Sequence, residues 1–215
     1  MTSEKPSGLP GLFVAFEGGD GAGKSTQASL LCEALGAAGI PVLRTREPGG
    51  TPVGEKLRSL VLEHGQGEID ARTEALLFAA SRAAHVAQVI LPALARGDVV
   101  VCDRYVDSSV AYQGAGRELG AQAVLDVNRW AVDGLHPDLT VLLDVEPAEG
   151  RSRRTAQDTP EDRLESEPDP FHERIRAQFL ELAGKSPDRY LVLPAGGVRD
   201  QLGRKILDAV LERLA

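Results

Sequence analysis

Hydrophobic and polar positions follow two patterns along this chain. Short apolar runs predict buried strands at 12–17, 40–47, 98–103, 139–145 and 190–195. Longer segments carry apolar residues at helical spacing and predict helices at 24–38, 53–63, 71–94, 121–132, 149–154, 171–183 and 200–214. Strands that alternate with helices indicate an α/β fold, a parallel five-stranded sheet with helices on both faces.

The domain organisation is simple, because neither a repeat nor an internal boundary interrupts this pattern. We expect a disordered N-terminal tail at 1–10 and a single domain at 11–215. A polar, proline-broken stretch at 155–170 is too short to link two cores. It predicts a mobile flap, and the expected lid covers about 150–168.

Composition and charge argue against several classes of partner. The formal net charge of −8 disfavours a nucleic-acid duplex or an anionic membrane surface. The N-terminus lacks the apolar core of a signal peptide, and no apolar run approaches the roughly 20 residues that span a bilayer. We therefore expect a cytoplasmic protein that binds neither nucleic acid nor membranes. Cys32 and Cys102 are predicted to be free buried thiols, and the four histidines show no metal-ligand spacing.

A glycine-rich segment, Gly18 to Ser25, fits the pattern G-x-x-x-x-G-K-[ST] in full and lies between a predicted strand and a predicted helix. Its glycines let consecutive backbone N–H groups point inward, where the helix N-terminus adds partial positive charge. Lys24 supplies a full charge to the β- and γ-phosphates of a nucleotide, and the Ser25 hydroxyl can ligate Mg²⁺. The predicted phosphate-binding loop, for which the resemblance described below implies ATP, consists of Gly18, Gly19, Asp20, Gly21, Ala22, Gly23, Lys24, Ser25 and Thr26.

Two further segments at the ends of predicted strands carry chemistry that suits this loop. Asp103 and Arg104 follow the third strand, at the edge where ligands bind in open α/β sheets. The carboxylate can hold Mg²⁺ directly or through water, and the guanidinium can contact a phosphate. Arg46 and Arg58 bracket a Pro-Gly-Gly turn after the second strand and suit a second phosphate. The alternatives are a surface salt bridge at Asp103 and a plain surface turn.

A phosphate-binding loop alone names no reaction, since GTPases, motor ATPases and small-molecule kinases share it. The informative motifs are EGGDGAGKST at 17–26, TREPGGT at 45–51, EKLRSLVL at 55–62, LLFAASRAAHV at 76–86, DRYVDSSVAYQG at 103–114, DRLE at 162–165 and FLELA at 179–183. Together they resemble those of bacterial thymidylate kinases over most of the chain. The resemblance implies a P-loop kinase core of five strands with a short lid. It also implies a homodimeric enzyme that uses ATP and Mg²⁺ to phosphorylate dTMP.

The resemblance also implies roles for individual residues. Phe78 would stack on the thymine ring, Arg82 would hydrogen-bond its exocyclic oxygen, and Asp20 would face the 3′-hydroxyl of the acceptor. Stacking an aromatic side chain on a base contributes about 1–3 kcal/mol, and a spacing of four puts Phe78 and Arg82 on one helix face. Without the neighbouring motifs, Phe78 would be typical of core packing. The residues implied to bind dTMP are Arg58, Phe78, Arg82, Arg104, Ser109, Tyr112 and Gln113.

The lid is predicted to supply a catalytic arginine. Phosphoryl transfer spreads negative charge over the oxygens of the migrating group, and a guanidinium can stabilise that charge. The loop interior at 19–22 contains no arginine. Arg153 and Arg154 are the leading candidates, together with Lys24 and Asp20 as the catalytic set. Arg163 is expected to tie the lid down through one of the carboxylates in DRLE, and a solvated charged hinge is the alternative.

Two other functions remain open on the sequence alone. A deoxynucleoside kinase takes an uncharged acceptor, so the phosphate-gripping Arg58 and Arg104 would be surplus. A P-loop switch or nucleotide-binding regulator needs no acceptor pocket, which would leave Phe78 and Arg82 unexplained. The guanine-specificity motif N-K-x-D does not occur in the chain.

Overall fold

The sheet of this protein is seen in a computed structural model that describes residues 9–156 and 161–214. Its strands are β1 (Phe13–Glu17), β2 (Val42–Arg46), β3 (Val99–Asp103), β4 (Leu139–Asp144) and β5 (Tyr190–Pro194). They form one all-parallel sheet in the order β2-β3-β1-β4-β5. Every strand begins and ends within two residues of its predicted range, so the α/β prediction is confirmed.

Helices connect the strands and cover both faces of the sheet. They are α1 (Lys24–Ala37), α2 (Pro52–Leu62), α3 (Ala71–His85), α4 (Leu91–Ala95), α5 (Val106–Ser109), α6 (Ala121–Ala131), α7 (Pro147–Thr155), α8 (Asp169–Lys185) and α9 (Arg199–Leu214). A π-helical segment, Val86–Ile90, joins α3 to α4, and another, Val110–Gly116, continues α5. A 3₁₀ turn, Pro187–Arg189, precedes β5.

The helical stretch formed by α5 and its π-helical continuation is absent from the sequence prediction. Two glycines, Gly114 and Gly116, weaken the helical signal there. Tertiary packing overrides this weakness, because Ala111 is fully buried and Gly116 lies against the ring of Phe171. A Cβ at position 116 would come within 2.6 Å of that ring, so the close approach requires glycine.

Two hydrophobic clusters sandwich the sheet. Phe16 belongs to the cluster that includes Leu35 of α1 and Ile206 of α9, whereas Phe13 belongs to the one that includes Leu94 of α4. Burial of each such side chain stabilises the fold by about 1.5–3 kcal/mol. Because both faces are covered, the central strands read as continuous apolar runs rather than as alternating ones.

The strand register places the chemistry at one edge of the sheet. Asp103 at the end of β3 pairs with Phe16 of β1 and with Arg46 of β2. The glycine-rich loop follows β1, and Arg104 follows β3, so these segments meet at the carboxyl edge. In open parallel sheets this is the edge where ligands bind.

The continuous helix Ala71–Ala95 has 25 residues and contains an 18-residue stretch with a mean hydropathy of 1.4, enough by length and composition to cross a membrane. An apolar stretch of that kind is not predicted from the sequence. Glu74, Arg82 and His85 on this helix are buried and hydrogen-bonded to side chains of other elements. The helix is therefore a core helix of the domain.

The predicted tail and flap fall partly outside the described residues, at 1–8 and 157–160. The segment after 160 is packed on the domain: Leu164 is buried, and the Arg163 N–H donates to the Leu62 backbone oxygen at 3.0 Å. The division into a tail, one domain and a lid at about 150–168 stays a prediction.

Candidate active site

The glycine-rich loop lies close to α7, backbone against backbone. Gly18 has φ 133° and Gly21 has φ 76°, conformations that side-chain-bearing residues rarely adopt. A Cβ on Gly18 would overlap the backbone oxygen of Leu143 in β4, and one on Gly21 would overlap that of Gly150 in α7. Both glycines are therefore required by the local geometry.

Lys24 opens α1 and reaches back over the loop. Its ammonium group donates hydrogen bonds to the backbone oxygens of Gly18 at 3.1 Å and Gly19 at 2.8 Å. Burial and the positive charge of Arg104 lower the pKa of Lys24 to about 8, although Asp20 opposes this shift. The ammonium lies against the loop, where the phosphates of a bound nucleotide are expected.

Ser25 and Asp103 meet beside the loop. The Ser25 hydroxyl donates a hydrogen bond to Oδ2 of Asp103 at 2.5 Å, and both residues line the same cavity. The pair forms because α1 begins at the carboxyl edge of the sheet, next to the end of β3. A hydroxyl and a carboxylate are oxygen ligands of the kind that Mg²⁺ prefers, so the donor set fits that ion.

Asp20 in the loop is held by two partners. It forms an ion pair with Arg104 and accepts a hydrogen bond from the Tyr112 hydroxyl at 2.7 Å. Burial favours a raised pKa, but the charges of Arg104 and Lys24 and the Tyr112 hydrogen bond outweigh it. They hold the pKa of Asp20 well below its usual range. Asp20 is thus a fixed carboxylate at the cavity.

Arg104 adopts a left-handed backbone conformation, φ 71°, which is uncommon for a residue other than glycine. Its guanidinium lies 5.0 Å from the centre of the Tyr112 ring and donates to the Ser108 hydroxyl oxygen at 3.1 Å. It also donates to the Gly18 backbone oxygen at 3.2 Å. These contacts aim the side chain across the loop.

Glu17 supports the turn that carries Arg104, a role that the sequence analysis misses. It has no exposed surface and accepts hydrogen bonds from the backbone N–H groups of Tyr105 at 2.8 Å and Ser108 at 3.2 Å. Burial, with a smaller effect of Asp107, raises the pKa of this carboxyl to about 7. A carboxylate that caps α5 from the neighbouring strand fixes the turn between β3 and α5. The only sequence signal was a charged residue that ends an apolar run.

One cavity of about 410 Å³ opens at this edge. It brings together most of the predicted site residues: Asp20, Gly21, Gly23, Lys24, Ser25, Thr26, Arg58, Phe78, Arg82, Asp103, Arg104, Ser109, Tyr112, Gln113 and Arg154. Four predicted site residues are not part of its lining, namely Gly18, Gly19, Ala22 and Arg153.

Arg82 is a buried cavity residue whose guanidinium is held by four acceptors. It donates to Glu47 Oε2 at 2.6 Å, to Ser109 Oγ at 3.1 Å and to the Tyr105 backbone oxygen at 3.0 Å. It also donates to the amide oxygen of Asn128. A guanidinium has five N–H groups, so these four bonds leave one for a ligand in the cavity.

The turn after β2 contributes two more guanidinium groups to the cavity. Arg46 pairs with Glu55 at 3.0 Å and donates to the Pro48 backbone oxygen at 3.0 Å. Arg58 of α2 donates to the same Pro48 oxygen at 3.0 Å. Burial and the neighbouring charge of Arg46 lower the pKa of Arg58. The turn therefore presents positive charge that a bound anion would neutralise.

The two candidate lid arginines point to different places. Arg154 lines the cavity, and its Nε is buried without a hydrogen-bond partner among the described residues, 3.6 Å from Glu165. Arg153 instead pairs with Glu149 at 2.5 Å and donates to the Ala195 backbone oxygen at 3.2 Å. Of the two, only Arg154 has its side chain at the cavity.

Arg163 anchors the segment after 160 to the domain, but the predicted partner is wrong. It pairs with Glu74 of α3 at 2.5 Å and donates to the Val61 backbone oxygen at 2.9 Å, rather than to the carboxylates of DRLE. Asp162 instead accepts the backbone N–H of Leu164 at 2.8 Å. The partner lies 89 positions away, so the local sequence holds no signal for it.

A buried cluster behind the cavity contains Glu47, His85 and Cys102, with one ligand-type atom of each within 4.8 Å of the others. Arg82 donates to Glu47 at 2.6 Å, and His85 Nδ1 bonds the same carboxylate at 2.9 Å. The positive guanidinium opposes a cation here, so the cluster supports Arg82. Cys102 is a free buried thiol as predicted, whereas Cys32 is free but partly exposed.

Comparison with known proteins agrees with this geometry. The family model described as Thymidylate kinase matches residues 16–206. A thymidylate kinase of Cutibacterium acnes is 54 % identical over 202 residues, covering 94 % of this chain and 97 % of that protein. One of Deinococcus radiodurans is 49 % identical over 203 residues, covering 94 % and 98 %. The crystal structure of thymidylate kinase from Ehrlichia chaffeensis superposes with a TM-score of 0.76 at 31 % identity, covering 93 % and 98 %. The chain therefore belongs to the thymidylate kinase family.

Proposed function

We propose that this chain transfers the γ-phosphate of ATP to dTMP, giving dTDP and ADP. The observation that carries the proposal is one cavity lined by both kinds of substrate contact. Lys24 and Ser25 belong to the phosphate-binding loop, while Phe78 and Gln113 offer an aromatic ring and an amide that suit a pyrimidine base. Membership in the thymidylate kinase family supports the same pair of substrates.

The acceptor site is proposed to use the contacts that the cavity offers. Phe78 stacks on thymine, and the remaining N–H of Arg82 donates to an exocyclic oxygen. Arg58 and Arg104 bind the 5′-phosphate, and Asp20 accepts a hydrogen bond from the 3′-hydroxyl. Two guanidinium groups suit a charged acceptor and would be surplus for the uncharged acceptor of a deoxynucleoside kinase.

Transfer needs no general base. The second pKa of a phosphate monoester is about 6, so an oxygen of dTMP is already anionic near neutral pH. That oxygen bonds to the γ-phosphorus while the bond from this phosphorus to the bridging β-oxygen breaks and ADP leaves. No covalent intermediate with the protein forms. What the protein must offset is repulsion between two anions, and Lys24 and Arg104 supply positive charge there.

Arg154 is proposed to be the lid arginine of the transition state. Its charge lies at the cavity, and its Nε has no hydrogen-bond partner among the described residues. Within the part of the chain that the structure describes, the guanidinium has only long ion pairs, with Glu161 at 3.5 Å and Glu165 at 3.6 Å, so its Nε donor is available to a substrate oxygen. Arg153 contacts the loop after β5 through Ala195, so it is proposed to shape the nucleotide side. Lid closure that also excludes water limits hydrolysis of ATP.

Mg²⁺ is the cofactor that the donor set supports. The short contact between Ser25 and Asp103 places a hydroxyl and a carboxylate together at the start of α1. When bound, the ion would neutralise phosphate charge. Ser25 and Asp103 would hold it, the latter directly or through water, while Lys24 orients the phosphates.

A homodimer in the cytoplasm is the proposed state of the protein. The helices α2, α3 and α6 carry exposed apolar side chains, among them Leu76, which is 58 % exposed, and Trp130, which is 87 % exposed. Large exposed apolar groups on neighbouring helices favour association. Trp130→Glu should shift the protein from dimer to monomer in sedimentation velocity. Leu76→Glu is the matched variant and should have the same effect. If both variants remain dimeric, this surface is not the dimer interface.

The reaction is tested with a coupled assay that supplies ATP, Mg²⁺ and one nucleoside monophosphate at a time. We expect turnover with dTMP. Turnover with CMP, UMP or AMP but not with dTMP would overturn the acceptor assignment, and turnover of thymidine instead would identify a deoxynucleoside kinase. Equilibrium binding of dTMP without ATP separates a kinase from a P-loop regulator, which has no acceptor site.

A further inference from the structure

Glu74 joins the cavity to the lid, and the proposed reaction gives it no role. It lies on α3 with no exposed surface. Its Oε1 accepts hydrogen bonds from Gln113 Nε2 at 2.9 Å and from Arg117 Nε at 3.3 Å. Its Oε2 accepts from Arg163 Nη2 at 2.5 Å and from Arg117 Nη2 at 3.2 Å. One carboxylate therefore organises three side chains: two from the π-helical segment and its C-cap, and one from the segment after 160.

The contact with Gln113 fixes which way its amide faces. A carboxylate oxygen accepts hydrogen bonds, so the amide NH₂ of Gln113 must be the end that faces Glu74. The amide oxygen is then the end left for the cavity that Gln113 lines. Gln113 is only 1 % exposed, so little water competes for this oxygen.

An outward amide oxygen distinguishes pyrimidines by chemistry. Thymine carries a hydrogen at N3, which donates to such an oxygen, whereas N3 of cytosine is an acceptor and meets it lone pair to lone pair. A site that holds a buried acceptor rejects a ligand that lacks the matching donor. The discrimination depends on Gln113 being unable to rotate its amide by half a turn.

We propose that Glu74 is a positioning residue that locks the Gln113 amide with its oxygen toward the acceptor base, and thereby selects a base that carries N3–H. The proposal rests on the proposed function, because it specifies how that same acceptor site reads its substrate. Glu74 does so without touching the substrate.

The same carboxylate anchors the lid. Arg163 belongs to the segment after 160, and Arg117 bridges from Glu74 to Glu167 at 2.5 Å in that segment. Glu74 therefore serves both recognition of the base and attachment of the lid, but through different hydrogen bonds: one to Gln113 and one to Arg163. This separation supplies a matched control, since Arg163 can be changed while the bond between Gln113 and Glu74 stays.

The test uses Glu74→Gln in the full chain. A glutamine at 74 can donate as well as accept, so the Gln113 amide is free to turn. We expect the ratio of kcat/KM for dTMP to kcat/KM for dCMP to fall by about tenfold, with KM for ATP unchanged. Competition of dCMP against dTMP gives the same ratio where dCMP turnover is too slow to follow.

Two further variants separate positioning from general damage. In Gln113→Leu the ratio should fall similarly, and Glu74→Gln combined with Gln113→Leu should lower it no further. Arg163→Lys should change kcat for both acceptors alike and leave the ratio as in the wild type. If Glu74→Gln does not fold, Gln113→Leu still decides, because an unchanged ratio there overturns the proposal.

The outcomes also separate this inference from the proposed function. If the wild-type enzyme does not turn over dTMP, the proposed function fails. If it does, and Glu74→Gln keeps the wild-type ratio, the Glu74 proposal fails while the function stands. If Arg163→Lys lowers the dTMP-to-dCMP ratio as much as Glu74→Gln does, base discrimination depends on the bond between Arg163 and Glu74. That result would overturn the role of the Gln113 amide.

Discussion

Tyr112 and Asp20 are 92 positions apart in the chain, yet the Tyr112 hydroxyl donates a hydrogen bond to Asp20 Oδ2 at 2.7 Å. The same hydroxyl oxygen accepts a hydrogen bond from Arg104 at 3.1 Å. A carboxylate close to a triphosphate is repelled unless a cation and a donor hold it. This trio supplies both, which is why a negative side chain is tolerated inside a phosphate-binding loop.

Replacing Asp20 should separate chemistry from nucleotide binding. Asp20→Ala removes the proposed acceptor for the sugar hydroxyl while the loop glycines remain. We expect kcat to fall by about 10²-fold, as for a misplaced acceptor, and the Kd for ATP to change little. Steady-state kinetics and equilibrium binding measure the two quantities. Asp20→Asn is the control, because it keeps the shape of the side chain and removes its charge. An equal loss of kcat and of ATP affinity would mean that Asp20 only shapes the loop.

Removing the Tyr112 hydroxyl tests its part in holding Asp20 and Arg104. Tyr112→Phe keeps the ring beside Arg104 but deletes both the donor to Asp20 and the acceptor of the Arg104 hydrogen bond. Loss of the two hydrogen bonds is expected to cost about 1–2 kcal/mol, which corresponds to an about 5- to 30-fold lower kcat/KM for dTMP. The KM for ATP should not change. A variant that binds dTMP as well as the wild type would show that Arg104 alone suffices to hold Asp20.

The two lid arginines should differ sharply in their contribution to the rate. Arg154 lines the cavity, so Arg154→Met is expected to lower kcat by about 10³-fold while dTMP still binds. Arg153→Met, which removes a charge one residue away, should lower kcat by less than about tenfold. Initial rates at saturating ATP and dTMP give the comparison. The reverse order of effects would move the catalytic role to Arg153.

The sequence determines the strands and the phosphate-binding loop because their signals are local. An apolar run, a glycine pattern and the following lysine specify β1, the loop and α1 without reference to the remaining chain. The direction of a lid arginine is different. Each step along a helix turns the side chain by about 100°, so choosing Arg154 over Arg153 requires the placement of α7, which begins at Pro147.

The supporting carboxylates were equally out of reach of sequence reasoning. Glu17 caps α5 from the neighbouring strand, and Glu74 binds Gln113 and Arg163 across 39 and 89 positions. Glu17 shows only that a charged residue ends an apolar run, and nothing in the local sequence of Glu74 distinguishes it from a surface acid. Only burial does so, because a buried carboxylate must find donors, and those donors are set by how the helices pack.

The two proposed magnesium ligands should differ in how strongly they affect Mg²⁺ binding. Asp103→Asn removes a charge, whereas Ser25→Ala removes a neutral ligand, so the first should raise the Mg²⁺ concentration for half-maximal rate more strongly, by about tenfold or more. Initial rates are measured against free Mg²⁺ at saturating substrates. Binding of ATP without Mg²⁺ is the control and should survive both changes. An unchanged Mg²⁺ requirement in Asp103→Asn would exclude this carboxylate as a ligand.

Lys24 should impose an alkaline limit on the free enzyme. Its ammonium must be charged to face phosphates, and its pKa is about 8 because burial and Arg104 disfavour the charged form. As pH rises through about 8 the proton is lost, so kcat/KM for ATP should fall about tenfold per pH unit above it. Bound triphosphate adds negative charge and raises this pKa, so kcat should hold to higher pH.

Lys24→Arg supplies the control for this limit. A guanidinium keeps its proton over the whole pH range in which the enzyme can be assayed. The variant should therefore be slower overall, but its kcat/KM for ATP should no longer fall above about pH 8. Glu17, whose pKa is about 7, is present in both proteins and cannot produce a difference between them. A wild-type kcat/KM that stays flat to about pH 9.5, or the same fall in the arginine variant, would show that Lys24 does not titrate in this range.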